Sequence, residues 1–279
     1  MKEGKTLMRQ RVANVEKMAR IIRQESIKMI YKAQSGHPGG SLSEADILAC
    51  LYFDQMNVRP EDPKWADRDR FVLSKGHACP GLYAALALRG FFGMENLNTL
   101  RQFGSILQGH PVMQKVPGLD MTTGSLGQGL SVACGMAIGL RRGGSDARVY
   151  VLLGDGECDE GQVWEAAMTA SKYGLGNLCA IVDHNGLQND STTCVVQPQE
   201  NIAERFECFG WRTIKIDGHD VWQILDALDE AKRHPGQPTL ILARTVKGKG
   251  VSYMENVVSW HGTAPNEAQF EIAIQELEG

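Results

Sequence analysis

Residues 148–189 read RVYVLLGDGECDEGQVWEAAMTASKYGLGNLCAIVDHNGLQN, and this stretch decides the fold. The apolar run at 149–153 has the length and β-branched content of a strand buried on both faces, and the run at 178–182 repeats the pattern. A helical pattern separates the two runs and stops at Gly174 and Gly176. The stretch therefore predicts a βαβ unit in which both strands run in the same direction.

Polar residues follow both predicted strands. Asp155 lies between Gly154 and Gly156 after the first strand, and Asn185 follows the second. Because parallel strands end at the same edge of a sheet, we expect the two side chains to be neighbours there. With a backbone carbonyl from the turn at 186–187, they form an all-oxygen set that suits Mg²⁺ or Ca²⁺ and leaves positions for a diphosphate. Taken alone, GDG is equally compatible with an ordinary βα turn.

Length, composition and charge restrict the class of protein. The chain has 279 residues, 43% of them hydrophobic and 22% charged, which is typical of a folded globular protein. The formal charge of −4 and the lack of a basic stripe argue against nucleic acid as a partner. We find neither an apolar leader nor a run long enough to cross a membrane, so we expect a cytoplasmic protein without membrane contact.

Strands alternate with helices along the rest of the chain. Further strands are predicted at 71–73, 212–216 and 238–246, the last with its apolar run at 239–243. A long amphipathic helix is predicted at 10–34, and a further helix is predicted to open with Ser43 as its cap. This alternation predicts one α/β domain over residues 1–279, with a doubly wound, mostly parallel sheet and helices on both faces.

Four histidines lie on loops rich in glycine or proline: His37, His77, His110 and His261. A single histidine on such a loop is more often an ordinary surface residue. Surface exposure poorly explains why His37, His77 and His110 all lie in the same kind of glycine- or proline-containing turn. Histidine is suited to hydrogen bonding with a sugar hydroxyl near neutral pH. The glycine-rich loop at 122–130 permits close approach to a planar ring, although a tightly packed core helix explains that segment equally well.

Together these motifs resemble transketolase, a thiamine diphosphate enzyme. The resemblance extends from His37 to His261 and rests on segments in the family's order: SGHPGG, LSKGHA, GHP, TTGSLGQG, GDG with EG and WEA, DxNG, DGHD, KGKG and HG. It implies the thiamine diphosphate-binding fold, with thiamine diphosphate and Mg²⁺ or Ca²⁺ as cofactors.

The resemblance also implies roles for individual residues. It places the metal on Asp155, Asn185 and the carbonyl of Leu187. The cofactor is assigned to the Gly154 turn and to Gly156, His77, His261, Gly124 and Leu126. The four histidines His37, His77, His110 and His261 are expected to surround the reacting carbons of the sugar. Glu160 and Glu165 are expected at a subunit boundary.

Complete transketolases continue into a pyrimidine-binding domain and a carboxyl-terminal domain, whereas this sequence ends at Gly279. The family's activating glutamate belongs to the absent pyrimidine domain. The resemblance therefore implies the amino-terminal subunit of a split transketolase that pairs with a separate carboxyl-terminal subunit, as an α₂β₂ assembly. It would transfer a two-carbon ketol unit from a ketose phosphate or related acidic sugar to an aldose. Ser125, His184 and the pair Asn189-Asp190 depart from the family pattern and weaken any inference about the sugar.

Three alternatives remain open from the sequence. Two are other thiamine diphosphate enzymes, a deoxyxylulose-phosphate synthase-like protein and a 2-oxo acid dehydrogenase α subunit, and the third is a non-catalytic scaffold subunit. The segments SGHPGG and LSKGHA favour transketolase. Retention of Asp155, Asn185 and the four loop histidines argues against a scaffold, which has no physical need of them.

Overall fold

Five parallel strands form the centre of the molecule. The structure is a computed structural model that describes residues 2–198 and 201–279, with side chains from residue 8 onward. The strands lie in the order β1-β2-β3-β5-β4. Their bounds are β1 Arg70–Leu73, β2 Val149–Gly154, β3 Leu178–His184, β4 Arg212–Asp217 and β5 Thr239–Arg244. All pairings are parallel, which confirms the predicted α/β sheet.

Ten α-helices accompany these strands within the described residues. They are α1 Lys2–Ala33, α2 Pro38–Ser43, α3 Ala45–Cys50, α4 Cys79–Arg89, α5 Gln128–Arg142, α6 Gly161–Lys172, α7 Thr193–Val196, α8 Ile202–Cys208, α9 Val221–Ala231 and α10 Glu267–Glu278. Short 3₁₀ turns at Gly76–Ala78, Gly156–Asp159 and Val258–His261 follow the ends of strands or precede the last helix. No helix in the described ranges combines the length and the apolar character needed to span a membrane.

The two faces of the sheet carry separate cores, because successive side chains of a strand point to opposite faces. On one face, Ile181 and Ile241 belong to a cluster built with α1, α3, α4 and α9. On the other face, Val151 and Val182 belong to a cluster built with α5, α6 and α8. Helices thus cover both faces, as the continuous apolar runs predict.

The strand ends bring four turns to one edge. Gly154 at the end of β2 pairs with Asp183 near the end of β3, and Asp183 pairs with Ala243 near the end of β5. Leu73, the last residue of β1, pairs with Leu152. The segments that follow these four strands are therefore neighbours at the carboxyl edge, where open parallel sheets bind ligands.

The structure corrects two local predictions. Ser43 ends α2 and does not cap α3, since Glu44 precedes that helix without a capping hydrogen bond. The Ser43 hydroxyl instead contacts the Asp183 carboxylate at 2.6 Å. The first helix begins at Lys2, before the predicted start at residue 10. A local pattern does not reveal that a distant buried carboxylate binds the serine hydroxyl.

All seven cysteines are free. Five are buried, whereas Cys194 and Cys208 are exposed.

Candidate active site

A cavity of about 150 Å³ opens at the carboxyl edge of the sheet. Its lining comes from the turns after β1, β2, β3 and β5, from α2, from the loop before α5 and from the 3₁₀ turn at Val258–His261. The lining residues are Gly40, Lys75, His77, Leu126, Gly154, Asp155, Gly156, Glu157, Asn185, Leu187, Gln188, Asn189, Lys247 and His261. Most of the residues that the sequence predicts for the cofactor therefore lie around one space.

The oxygen atoms that are predicted to bind a metal belong to the turns after β2 and β3. The backbone N–H of Gly186 donates to Asp155 Oδ2 at 2.6 Å, and the N–H of Gly156 donates to Asp155 Oδ1 at 2.8 Å. Asn185 Oδ1 accepts from the N–H of Leu187 at 3.1 Å. Burial, and then the charge of Asp183, raises the pKa of Asp155 to about 6. Each oxygen keeps a second lone pair, so the set is able to accept a cation.

This set contains one carboxylate and otherwise neutral oxygens. No group of three or more His, Cys, Asp or Glu side chains suited to a metal occurs in the described part of the chain. Mg²⁺ is commonly held by one or two carboxylates, with water and phosphate oxygens completing its shell. The oxygen set is thus suited to a cation that a bound diphosphate shares.

Three of the four loop histidines form a cluster beside the cavity. The ring centroid of His37 lies 5.0 Å from that of His77 and 5.4 Å from that of His261. The rings of His77 and His261 are 5.1 Å apart. Their positions on three distant loops explain why spacing along the chain does not show that they meet.

The clustered histidines favour the neutral state. Burial, and then the charge of Arg101, lowers the pKa of His37 to about 4. Burial, and then the charge of Lys247, lowers the pKa of His261 to about 3. The pKa of His77 is lowered by burial and then by Lys75. Near neutral pH the three rings therefore offer both hydrogen-bond donors and acceptors.

The fourth histidine, His110, is exposed and is not among the residues that line the cavity. A Cβ added at Gly124 would lie 3.3 Å from Cδ2 of His110, so the ring contacts the glycine-rich loop. Burial, and then Arg101, lowers its pKa as well. The Arg101 guanidinium donates to the Ser35 hydroxyl at 3.1 Å and to the carbonyl of Gly109 at 3.5 Å. Arg101 thus joins the loops that carry His37 and His110.

Sequence reasoning missed two buried lysines. Lys75 Nζ lies 2.5 Å from Asp183 Oδ2 and 2.9 Å from Glu44 Oε2. Burial disfavours its charge, but the two carboxylates outweigh that effect and raise the pKa of Lys75. Lys247 Nζ donates to the carbonyl of Leu187 at 3.0 Å and lies 2.8 Å from His261 Nδ1. Both follow strand ends within LSKGHA and KGKG, and this is the signal that could have found them.

A buried acid, Glu157, was also missed. Its carboxylate accepts hydrogen bonds from the backbone N–H groups of Gly127 and Gly154 and from the hydroxyl of Ser74. Burial raises its pKa, and these three hydrogen bonds oppose the rise. The acid directly follows GDG, but a single position gives no sign of its distant partners.

Glu160 and Glu165 lie outside the cavity. Both are exposed, at the N-cap and in the second turn of α6. A Cβ added at Gly127 would lie 2.7 Å from Cβ of Glu160, so this acid is next to the glycine-rich loop. Their predicted position at a subunit boundary is compatible with this exposure and stays a prediction.

The fold and the site define an α/β protein with an open parallel sheet and a ligand site at its carboxyl edge. A profile described as "Transketolase, thiamine diphosphate binding domain" matches residues 14–277. The chain belongs to the transketolase family and corresponds to its thiamine diphosphate-binding domain.

Two curated relatives match over nearly their whole length. The 6-deoxy-6-sulfo-D-fructose transketolase subunit SqwG of Clostridium sp. (strain MSTE9) is 44% identical over 271 residues, which are 97% of this chain and 98% of that protein. An apulose-4-phosphate transketolase subunit of Phocaeicola vulgatus is 44% identical, over 91% of this chain and 90% of that protein. These matches confirm the predicted resemblance to an amino-terminal transketolase subunit.

A solved structure agrees with the fold. The transketolase of Campylobacter jejuni superposes with a TM-score of 0.91 at 34% identity, covering 96% of this chain and 43% of that chain. The chain thus spans less than half of that transketolase. The family match favours a transketolase over the two other thiamine diphosphate enzyme classes that the sequence left open.

Proposed function

We propose that this chain is the cofactor-binding subunit of a two-chain, cytoplasmic transketolase, and that residues 1–279 form one thiamine diphosphate and Mg²⁺ binding domain. The complex transfers a two-carbon ketol unit from a ketose phosphate or related acidic sugar to an aldose. One observation carries the proposal: Asp155, Asn185, Leu187, His77 and His261 line a single cavity at the edge of the sheet.

The residues present fit the cofactor and its metal. Asp155, Asn185 and the Leu187 carbonyl would hold Mg²⁺, since they supply only oxygens. Gly154 and Gly156 would approach the diphosphate through their backbone, with His77 and His261 beside them. Lys247, whose pKa is lowered to about 8 by burial, would offset part of the anionic charge.

The other end of the cofactor would meet the glycine-rich loop through Gly124 and Leu126, of which Leu126 lines the cavity. Thiamine diphosphate, when bound, supplies the electron sink for breaking the bond beside the ketone carbon. This chain's own contribution is to orient that group.

The four histidines would hold the sugar hydroxyls and move their protons. His37 Nδ1 is buried and has no hydrogen-bond partner among the described residues. This nitrogen is therefore available to form a hydrogen bond with a ligand or with a neighbouring side chain that changes its orientation. His110, which lies next to Gly124 of the glycine-rich loop, would contact the sugar farther from the cofactor. Because the clustered rings are neutral near pH 7, each keeps one ring nitrogen that can accept a hydrogen bond from a sugar hydroxyl.

A second chain would supply the other wall of the pocket. The two relatives of matching length are named as subunits, which supports a separate carboxyl-terminal partner. We expect an α₂β₂ assembly with Glu160 and Glu165 at a subunit boundary. The names of these relatives specify a sulfo sugar and a sugar phosphate, which supports an acidic sugar as the substrate here.

The direct test is to purify the chain alone and together with the product of its neighbouring gene, and to follow ketol transfer by product chromatography. We expect activity only in the mixture. Ketol transfer by the lone chain would contradict the division into two subunits.

The metal assignment has its own test. Asp155→Ala should weaken Mg²⁺-dependent binding of thiamine diphosphate by about 100-fold or more in calorimetry, equivalent to about 3 kcal/mol. Asp226→Ala, which removes an exposed carboxylate from α9, serves as the control. Unchanged binding in Asp155→Ala would refute the assignment.

A further inference from the structure

One buried carboxylate connects three segments of the candidate site. Glu157 is 3% exposed. Its Oε1 accepts from the backbone N–H of Gly127 at 2.8 Å and from the Ser74 hydroxyl. Its Oε2 accepts from the backbone N–H of Gly154 at 3.1 Å. A single side chain thus satisfies three donors from three different segments.

The three donors belong to segments with different roles. Ser74 begins the turn that leads from β1 to His77. Gly154 is the last residue of β2 and enters the diphosphate turn. Gly127 precedes α5 and ends the loop that would meet the ring end of the cofactor.

Gly127 donates its backbone N–H to this carboxylate from a restricted conformation. It is buried and has a φ of +80°, in the left-handed region that favours glycine. A buried backbone N–H without an acceptor is costly, so the carboxylate compensates for a donor that the helix start leaves free. Rigid support of this kind decides how accurately a binding site is held.

We propose that Glu157 is a positioning residue that fixes the spacing between the diphosphate turn and the glycine-rich loop. The inference rests on the proposed function, because only thiamine diphosphate would use both segments at once. Pyrophosphate would use the turn alone, whereas the turn and the loop would both hold thiamine diphosphate. Loss of the spacing should therefore affect the two ligands differently.

The decisive variant is Glu157→Gln, which keeps the side-chain volume. A glutamine amide has one acceptor oxygen, so its NH₂ group must face either the N–H of Gly154 or the donors from Gly127 and Ser74. We expect affinity for thiamine diphosphate with Mg²⁺ to fall by about 10- to 100-fold, since a buried donor loses its acceptor. Affinity for Mg²⁺-pyrophosphate should change by less than about threefold, because that ligand uses one segment only.

Two controls separate positioning from general loss of structure. Asp69→Asn alters another buried carboxylate that accepts two backbone N–H groups, from Asn57 and Arg148, at the opposite edge of the sheet. Ser74→Ala removes one donor to Glu157 and leaves both backbone hydrogen bonds in place. Neither control should change the ratio of the two affinities.

The measurement is titration calorimetry with both ligands on the full-length chain and on its complex with the partner. A selective loss of thiamine diphosphate binding in Glu157→Gln supports the proposal. Equal weakening of both ligands, no weakening, or the same ratio as in Asp69→Asn overturns it. If the wild-type chain and complex bind neither ligand, the proposed function fails and the inference fails with it. If Glu157→Gln does not fold, Glu157→Asp keeps the charge, shortens the reach and should show the same selective loss.

Discussion

The ammonium group of Lys75 lies 2.5 Å from Asp183 Oδ2, and both side chains are almost completely buried. Lys75 follows β1 and Asp183 lies near the end of β3, so the pair joins turns on either side of β2. The Ser43 hydroxyl also contacts Asp183 Oδ2, at 2.6 Å, and the Thr245 hydroxyl donates to Oδ1. This network holds the turn of His77 against the turn after β3.

Removing the cation from this network should be strongly destabilising. Lys75→Met leaves Asp183 and Glu44 buried without a positive partner, and we expect a loss of about 3–5 kcal/mol in the free energy of unfolding. Chemical denaturation measures it. Lys215→Met, which breaks the exposed pair with Glu204, should produce no measurable change. If the Lys75→Met protein is as stable as the wild type, the ion pair makes no net contribution to the free energy of unfolding.

The histidine cluster predicts a pH dependence of stability. The pKa of His37 is about 4 and that of His261 about 3, both below the ordinary value of 6.5. The unfolded chain therefore binds more protons than the folded chain as the pH falls below 6.5, and the free energy of unfolding decreases. Denaturation at pH 7, 6, 5 and 4 should show the decrease, and His37→Asn with His261→Asn should reduce it. Equal slopes in both proteins would refute the shifts.

Arg101 should control the protonation of two histidines. Burial is the main cause of the lowered pKa of both His37 and His110, and the charge of Arg101 is the next. Arg101→Gln is therefore expected to raise both pKa values, as followed by NMR titration of the ring protons. Arg142→Gln, an exposed arginine at the end of α5, is the control that should leave them unchanged. If the pKa values of His37 and His110 are the same in Arg101→Gln as in the wild type, the charge of Arg101 does not affect their protonation.

His219, in the DGHD segment, makes two hydrogen bonds whose effects on stability can be measured separately. The N–H of Val246 donates to His219 Nε2 at 2.8 Å, so Nδ1 carries the proton and donates to Asp46 Oδ2 at 2.7 Å. His219→Asn keeps a donor near Asp46 but removes the acceptor for Val246, at an expected cost of about 1–3 kcal/mol. His219→Gln keeps an acceptor within reach of Val246, and Asp46 retains Arg23.

Amide hydrogen exchange separates the two variants. Exchange at Val246 should accelerate in His219→Asn and stay slow in His219→Gln. Equal acceleration in both would mean that ring packing, not the Nε2 acceptor, protects this amide.

Much of the scaffold could be predicted from local patterns. Continuous apolar runs identified four of the strands to within two residues at their ends, because strands buried on both faces carry no polar alternation. The partly exposed β4 was identified instead by its alternation of apolar and polar residues. The neighbouring positions of Asp155 and Asn185 followed from one βαβ unit, whose handedness is nearly invariant. The capping role of Ser43 was wrong because its hydroxyl binds Asp183, 140 residues away.

The sequence by itself determined the parallel α/β class, the oxygen set at one strand edge and the transketolase resemblance, since each depends on short segments whose chemistry is local. Only the tertiary structure decided that Lys75, Glu157 and Lys247 belong to the site. Buried charges are tolerated only where other groups compensate for their lost hydration. These partners are distant along the chain and come together only in the folded structure, so the spacing of residues in the sequence does not reveal them.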